Sequence, residues 1–140
     1  MAPRREVTNV ERVRHLLDLA GRMRVEELVD CFAGDAVMEL PFAPGRMARR
    51  HEGKPAIADF QRFARDSFST FSMTVDAVHE TTDPHVVIAE HHSDGVVRAN
   101  SRPYRNTYVT LIRFDDDGLV TNWREYYDPG VVVRAFRSAE

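Results

Sequence analysis

A chain of 140 residues with 19 basic and 22 acidic side chains has a net charge of −3, so no basic field marks it as a binder of nucleic acid or acidic lipid. Hydrophobic residues are 43% and charged residues 29%, a globular balance that excludes disordered, collagenous and coiled-coil classes. The length suits one domain, 1–140, with a single core.

The first element is a helix over 9–20, where Val10, Val13, Leu16, Leu17 and Ala20 recur at helical spacing. Thr8 or Asn9 would cap it and Gly21 would stop it. A second short helix, Val25 to Phe32, completes a helical hairpin. Gly34-Asp35 then turns the chain into a strand, Ala36 to Leu40, ended by Pro41. Residues 41–53 read as loop. A third helix runs from about Lys54 to Ser67, with Pro55 in its first turn and Ile57, Phe60, Phe63 and Ala64 on its apolar side.

After residue 68 the apolar period changes from about 3.6 to 2. Phe71, Met73, Val75 and Ala77 alternate with polar residues. Val86 to His92 forms the next strand, with a continuation past Asp94-Gly95 as Val96 to Ala99 left open. Tyr104 to Phe114 is the longest strand, and Asp115 to Gly118 is a hairpin turn before the returning strand Leu119 to Tyr127. Val131 to Phe136 is either a strand extension or a short helix. Helices first and strands later is the α+β pattern. The expected architecture is a cone-shaped, curved antiparallel sheet, closed by the N-terminal helical hairpin and the third helix. Its open mouth would make the inner face a small-molecule site.

Strand alternation puts Trp123, Glu125 and Tyr127 on one face of the last strand. A carboxylate between two aromatics is either a pocket acid with a raised pKa or a surface residue paired to an Arg. The neighbouring strand puts Asn106, Tyr108, Thr110 and Ile112 on one face. His79, His91 and His92 with Glu90 invite a metal reading, but adjacent strand residues point to opposite faces, and neither H-x-H nor HExxH occurs. One of these histidines, His91 among them, remains a candidate proton carrier. Glu90 is also open to pairing with Arg113 or Arg105. Arg46, Arg49, Arg50, His51, Arg102 and Arg105 either receive an acidic ligand at the mouth or are solvated charges. Gly-rich phosphate loops are absent, so no cofactor or metal is expected. The single Cys31 excludes an internal disulfide. No apolar run approaches ~18 residues, and MAPRREVTNVERV lacks the apolar core of a secretory signal, which leads to the expectation of a cytoplasmic protein.

The element order, with Phe32-x-x-Asp35-Ala36-Val37-x-Glu39-Leu40-Pro41, resembles the nuclear transport factor 2-like superfamily, which includes ketosteroid isomerases, SnoaL-like polyketide cyclases and scytalone dehydratase. Glu80-Thr81-Thr82-Asp83-Pro84, Glu90, Tyr104-Arg105-Asn106, Arg113-Phe114, Gly118 and Arg124-Glu125-Tyr126-Tyr127-Asp128-Pro129 look much like the phenazine-biosynthesis A/B proteins. Against the isomerases, Leu40 stands at the carboxylate base and Leu16 and Thr110 at the two oxyanion donors, so that machinery is missing. Against the phenazine proteins, Glu125 falls on the acid/base glutamate, while Phe60 replaces an assisting histidine.

The resemblance implies a cofactor-independent enzyme of natural-product biosynthesis. It would cyclise, condense, isomerise or dehydrate a carbonyl-containing metabolite in an apolar pocket. Glu125 would be the acid/base, and Tyr108 and Asn106 would orient the substrate. Trp123, Tyr127, Phe60, Thr110, Leu40, Leu16 and His91 would contact it. The alternative is a non-catalytic binding protein of the same fold. A homodimer is expected, with Thr121, Arg124 and Tyr126 near the contact.

Overall fold

The structure is a computed structural model that describes residues 6–137. Helix α1 (Asn9–Gly21) starts at Thr8, whose hydroxyl accepts from the Glu11 backbone N–H at 3.1 Å. Helix α2 (Val25–Asp30) completes the hairpin. Strand β1 (Phe32–Glu39) and a three-residue β2 (Arg50–Glu52) follow, then α3 (Lys54–Asp66). Four strands come next: β3 (Phe68–Glu80), β4 (Val86–Val97), β5 (Pro103–Phe114) and β6 (Val120–Tyr127). The last element is a helix, α4 (Pro129–Phe136), capped by the Asp128 carboxylate on Gly130 N–H at 2.8 Å.

The six strands form one sheet in the order β2-β1-β6-β5-β4-β3. The α+β class and the covering helices are as the sequence predicts, except that α2 ends at Asp30 and β1 already begins at Phe32 and runs through Gly34-Asp35, so those two residues do not form the expected turn. The sheet itself is mixed rather than wholly antiparallel, because β1 pairs in parallel with β6, Met38 beside Trp123 and Glu39 beside Arg124. No tight turn joins these two strands, so no hairpin fixes their relative direction. Strand β2 lies inside the stretch read as loop, and its three residues are too few to set a period.

Two glycines serve close packing rather than turns. A side chain on Gly21 would put its Cβ 2.9 Å from Met73 Cβ, so α1 packs against β3 there more closely than a side chain would allow. The left-handed residue that ends the helical turn is instead Met23, with φ of 57°. At Gly95 a Cβ would meet the Thr70 carbonyl oxygen at 2.8 Å. Glycine thus lets β3 approach closely, and β4 runs unbroken through Asp94-Gly95 to Val97.

The apolar core has two parts. One lies between the helices and the sheet, around Val13, Leu16, Leu17, Leu28, Phe32, Ile57 and Ile112. The other gathers Leu40, Val97, Tyr104, Tyr108, Tyr127, Val132 and Ala135 at the opposite end. Phe60 and Met73 pack against both.

Candidate active site

The register of the central strands decides which side chains share the inner face. On β5 and β6, Tyr108 opposes Tyr127, Thr110 opposes Glu125, and Ile112 opposes Trp123. On β4 and β5, His91 opposes Tyr108 and Ser93 opposes Asn106. Directly opposed residues project from the same side of a sheet, and all of these except Glu125 are buried. Glu125 is partly buried because it borders an open cavity of about 300 Å³. That size suits a small metabolite.

The cavity lies between the inner sheet face, α3 and α4. Its walls include Leu40, Met47, Phe60, Phe68, Phe71, Met73, Tyr104, Tyr108, Trp123, Tyr127, Val132 and Phe136. Among the described residues Glu125 is the sole acidic residue in the lining, which contains no Lys, Arg or His. Burial among these rings pushes its carboxyl up to about 7, while hydrogen bonds from Trp123 and Thr110 pull the other way. The balance favours burial because an ionised carboxylate loses its hydration here and meets no cation in the lining. The result is a group able to take and return a proton near neutrality.

A second polar set lies beside it. Ser93 Oγ and the Tyr108 hydroxyl are 2.7 Å apart, and Tyr108 donates to the Tyr104 hydroxyl at 3.2 Å. Asn106 Nδ2 also donates to the Tyr104 oxygen, at 3.1 Å. Burial raises the pKa values of Tyr104 and Tyr108 above that of ordinary tyrosine, and the charge of Glu125 adds to both effects. Both phenols therefore stay protonated.

The structure brings Glu125, Tyr108, Trp123, Tyr127, Phe60 and Leu40 together around the cavity. Other candidates are placed elsewhere. Leu16 is in the helical part of the core and does not line the cavity. Thr110 and His91 sit below the lining, with His91 Nε2 and Thr110 Oγ1 at 2.8 Å and the His91 ring stacked on Tyr108. Burial lowers the His91 pKa to about 4, so it is neutral and cannot be the cation of the site. Asn106 uses its whole amide within the protein. Its Nδ2 serves Tyr104 and the Asp128 carbonyl, and its Oδ1 accepts from the backbone N–H groups of Thr107 and Asp128. It is a clamp between β5 and the start of α4, with no group left over for a substrate.

His79 and His92 lie on the outer face, paired to Glu90 and Asp76 at 2.7 and 2.8 Å. That pairing accounts for Glu90, while Arg113 pairs with Asp83 and Arg105 with Asp94. Arg102 Nη1 donates to the carbonyls of Arg134 and Arg137 and so caps α4 instead of facing a ligand. Arg49 and Arg50 are engaged by the Ala43 carbonyl and Glu52, and His51 stacks behind Phe60 at 4.4 Å. Among the described residues no group of three or more His, Cys, Asp or Glu could hold a metal.

Sequence reading missed Tyr104 and Ser93. Both were within reach of strand periodicity: Tyr104 is two residues before Asn106, and Ser93 two after His91. The contribution of Val132 and Phe136 depended on α4 folding back over the cavity, for which local sequence carries no signal.

Comparison with known proteins agrees with this fold. Residues 13–123 match the model of the SnoaL-like domain, most of the chain. The chain belongs to the SnoaL-like family. The match ends two residues before Glu125, so the placement of that carboxylate rests on the geometry above. This SnoaL-like chain is 37% identical over 102 residues to YesE of Bacillus subtilis, an uncharacterised protein, covering 73% of the chain and 69% of YesE. It is 30% identical over 100 residues to a PhzA/B-like protein of Pseudomonas aeruginosa, covering 71% and 70% of the two. Its fold matches the crystal structure of a candidate isomerase from Bacillus subtilis with a TM-score of 0.81 and 30% identity, over 92% of each chain.

Proposed function

We propose that this SnoaL-like protein is a small-molecule enzyme of natural-product metabolism that works without a cofactor. Its chemistry is acid/base: cyclisation, condensation, isomerisation or dehydration of a carbonyl-containing metabolite. The observation that carries this reading is Glu125, a lone carboxylate in an aromatic cavity with its pKa pushed up to about 7. As a base, Glu125 takes a proton from the carbon next to a carbonyl; as an acid, it returns the proton to a new position or to a leaving oxygen. Trp123 and Thr110 stabilise the ionised stage by hydrogen bonding. The apolar walls offer these hydrogen bonds few polar competitors, which strengthens each of them.

The test is deuterium incorporation next to the carbonyl for a panel of small ketones and β-ketoesters, followed by NMR in D₂O. Glu125→Gln keeps the shape and removes the proton carrier, so exchange falls by ~10²–10⁴-fold. Equal exchange by the two proteins contradicts the proposal.

A second reading, a binding protein without chemistry, is favoured by Leu40 and Phe60. These two cavity residues hold no proton at the positions where the isomerases and phenazine proteins place ionisable groups. Under it, Glu125→Gln changes affinity alone.

A further inference from the structure

The hydrogen bonds around Tyr104 have a fixed direction. The Asn106 amide cannot be turned over, because its Oδ1 already accepts two backbone N–H groups, from Thr107 and Asp128. Its Nδ2 must therefore face Tyr104, and it donates to that phenol oxygen at 3.1 Å. Tyr108 donates to the same oxygen at 3.2 Å. Once Tyr108 has given its one proton to Tyr104, the 2.7 Å contact with Ser93 requires Ser93 Oγ–H to be the donor there.

The chain Ser93, Tyr108, Tyr104 thus runs one way, and a second arm from Asn106 ends on the same atom. A phenol has one hydrogen and two lone pairs. Both acceptor positions of Tyr104 are filled, and its own hydrogen has no acceptor among the described residues. Tyr104 lines the cavity, while its ring is held between Phe68 at 5.1 Å and Phe136 at 6.0 Å.

We propose that Tyr104 is the donor that holds the oxygen of an uncharged carbonyl ligand in this cavity, oriented by the Ser93–Tyr108 arm and the Asn106 arm. Accepting two hydrogen bonds polarises the phenol and makes it a stronger donor than an isolated tyrosine. As negative charge grows on the ligand oxygen during proton removal, the same bond strengthens. An anionic ligand is disfavoured because Glu125 faces the cavity and, among the described residues, no Lys, Arg or His lines it. The assignment rests on the acid/base reading for its consequence in turnover, but the bond itself is measurable without turnover.

The experiment uses [carbonyl-¹³C]acetophenone, with difference infrared spectra of the carbonyl stretch and calorimetric affinities. In the wild type the stretch lies below its value in an apolar solvent. In Tyr104→Phe it returns to that value, and affinity falls about three- to tenfold, the scale of one hydrogen bond. Tyr108→Phe gives an intermediate stretch, because Tyr104 then keeps only the Asn106 arm. Far-UV circular dichroism checks that each variant is folded.

An unchanged stretch in Tyr104→Phe overturns the proposal, as does failure of the wild type to bind acetophenone at its solubility limit. Benzoate and phenyltrimethylammonium test the ligand charge. Tighter binding of either than of acetophenone overturns the uncharged class. Loss of proton exchange in Glu125→Gln has no bearing on the stretch, so failure of the acid/base reading and failure of the Tyr104 assignment are told apart.

Discussion

Thr110 and Glu125 stand directly opposite each other on β5 and β6, and the far side of the Thr110 hydroxyl is held by His91 Nε2 at 2.8 Å. A carboxyl group that resists ionisation and an imidazole that resists protonation therefore share one threonine. Both shifts come chiefly from burial, which penalises whichever form is charged.

These two groups act on stability in opposite directions. Glu125 has a folded pKa of about 7 against a model value of 4.5, so between these values the folded state holds the extra proton, and its contribution falls as pH rises. His91 has a folded pKa of about 4 against 6.5, so the unfolded state holds the extra proton, and its contribution rises with pH. Urea unfolding from pH 4 to 8 separates them by difference from wild type. Glu125→Gln gains stability relative to wild type as pH rises, by up to about 3 kcal/mol. His91→Gln shows the reverse trend, its relative stability being best near pH 4. Parallel curves for wild type and either variant would contradict the burial of that group.

Helix α4 closes the cavity with Val132 and Phe136, and its C-terminal carbonyls are held by loop side chains. Asn100 Nδ2 donates to the Ala135 carbonyl at 2.9 Å, and Arg102 to that of Arg134 at 3.0 Å. Asn100→Ala removes one of these ties. Amide hydrogen exchange in α4 should quicken roughly five- to tenfold, in line with ~1 kcal/mol for one hydrogen bond, while exchange in β5 stays as it was. Uniform exchange across α4 in both proteins would show that the tie contributes nothing.

The outer sheet face carries Val109, 38% exposed, and Tyr126, against which Phe42 of the loop after β1, 52% exposed, makes an edge contact at 5.3 Å. We expect two copies to associate here, near Thr121, Arg124 and Tyr126. Light scattering at micromolar concentration should give twice the chain mass, and Tyr126→Asp should give a monomer. A wild-type monomer would contradict this.

Much of the site was legible because two-residue alternation is a local property. It placed Trp123, Glu125 and Tyr127 on one face and Tyr108 beside them. Helical spacing found α1, α2 and α3. What was not legible depends on distant chain. The parallel pairing of β1 with β6 is set by the whole sheet. Asn106 looked like a free donor because its partners, Tyr104 and the backbone of Asp128, are fixed only when α4 starts where it does. Arg49, Arg50, Arg102 and Arg105 looked like a mouth for acids until carboxylates and carbonyls took them up. Leu16, Thr110 and His91 share a face or core with the cavity residues, but the cavity is shallower than the sheet face behind it.

The most direct test is the titration of Glu125 itself, free of any substrate. Carboxyl ¹³C shifts of glutamate-labelled protein, assigned by loss of one signal in Glu125→Gln, follow its ionisation through pH 3 to 9. The structure predicts a midpoint of about 7. A midpoint near the ordinary 4.5 would mean a hydrated or ion-paired carboxylate, and Glu125 could not then serve as the acid/base of this aromatic cavity.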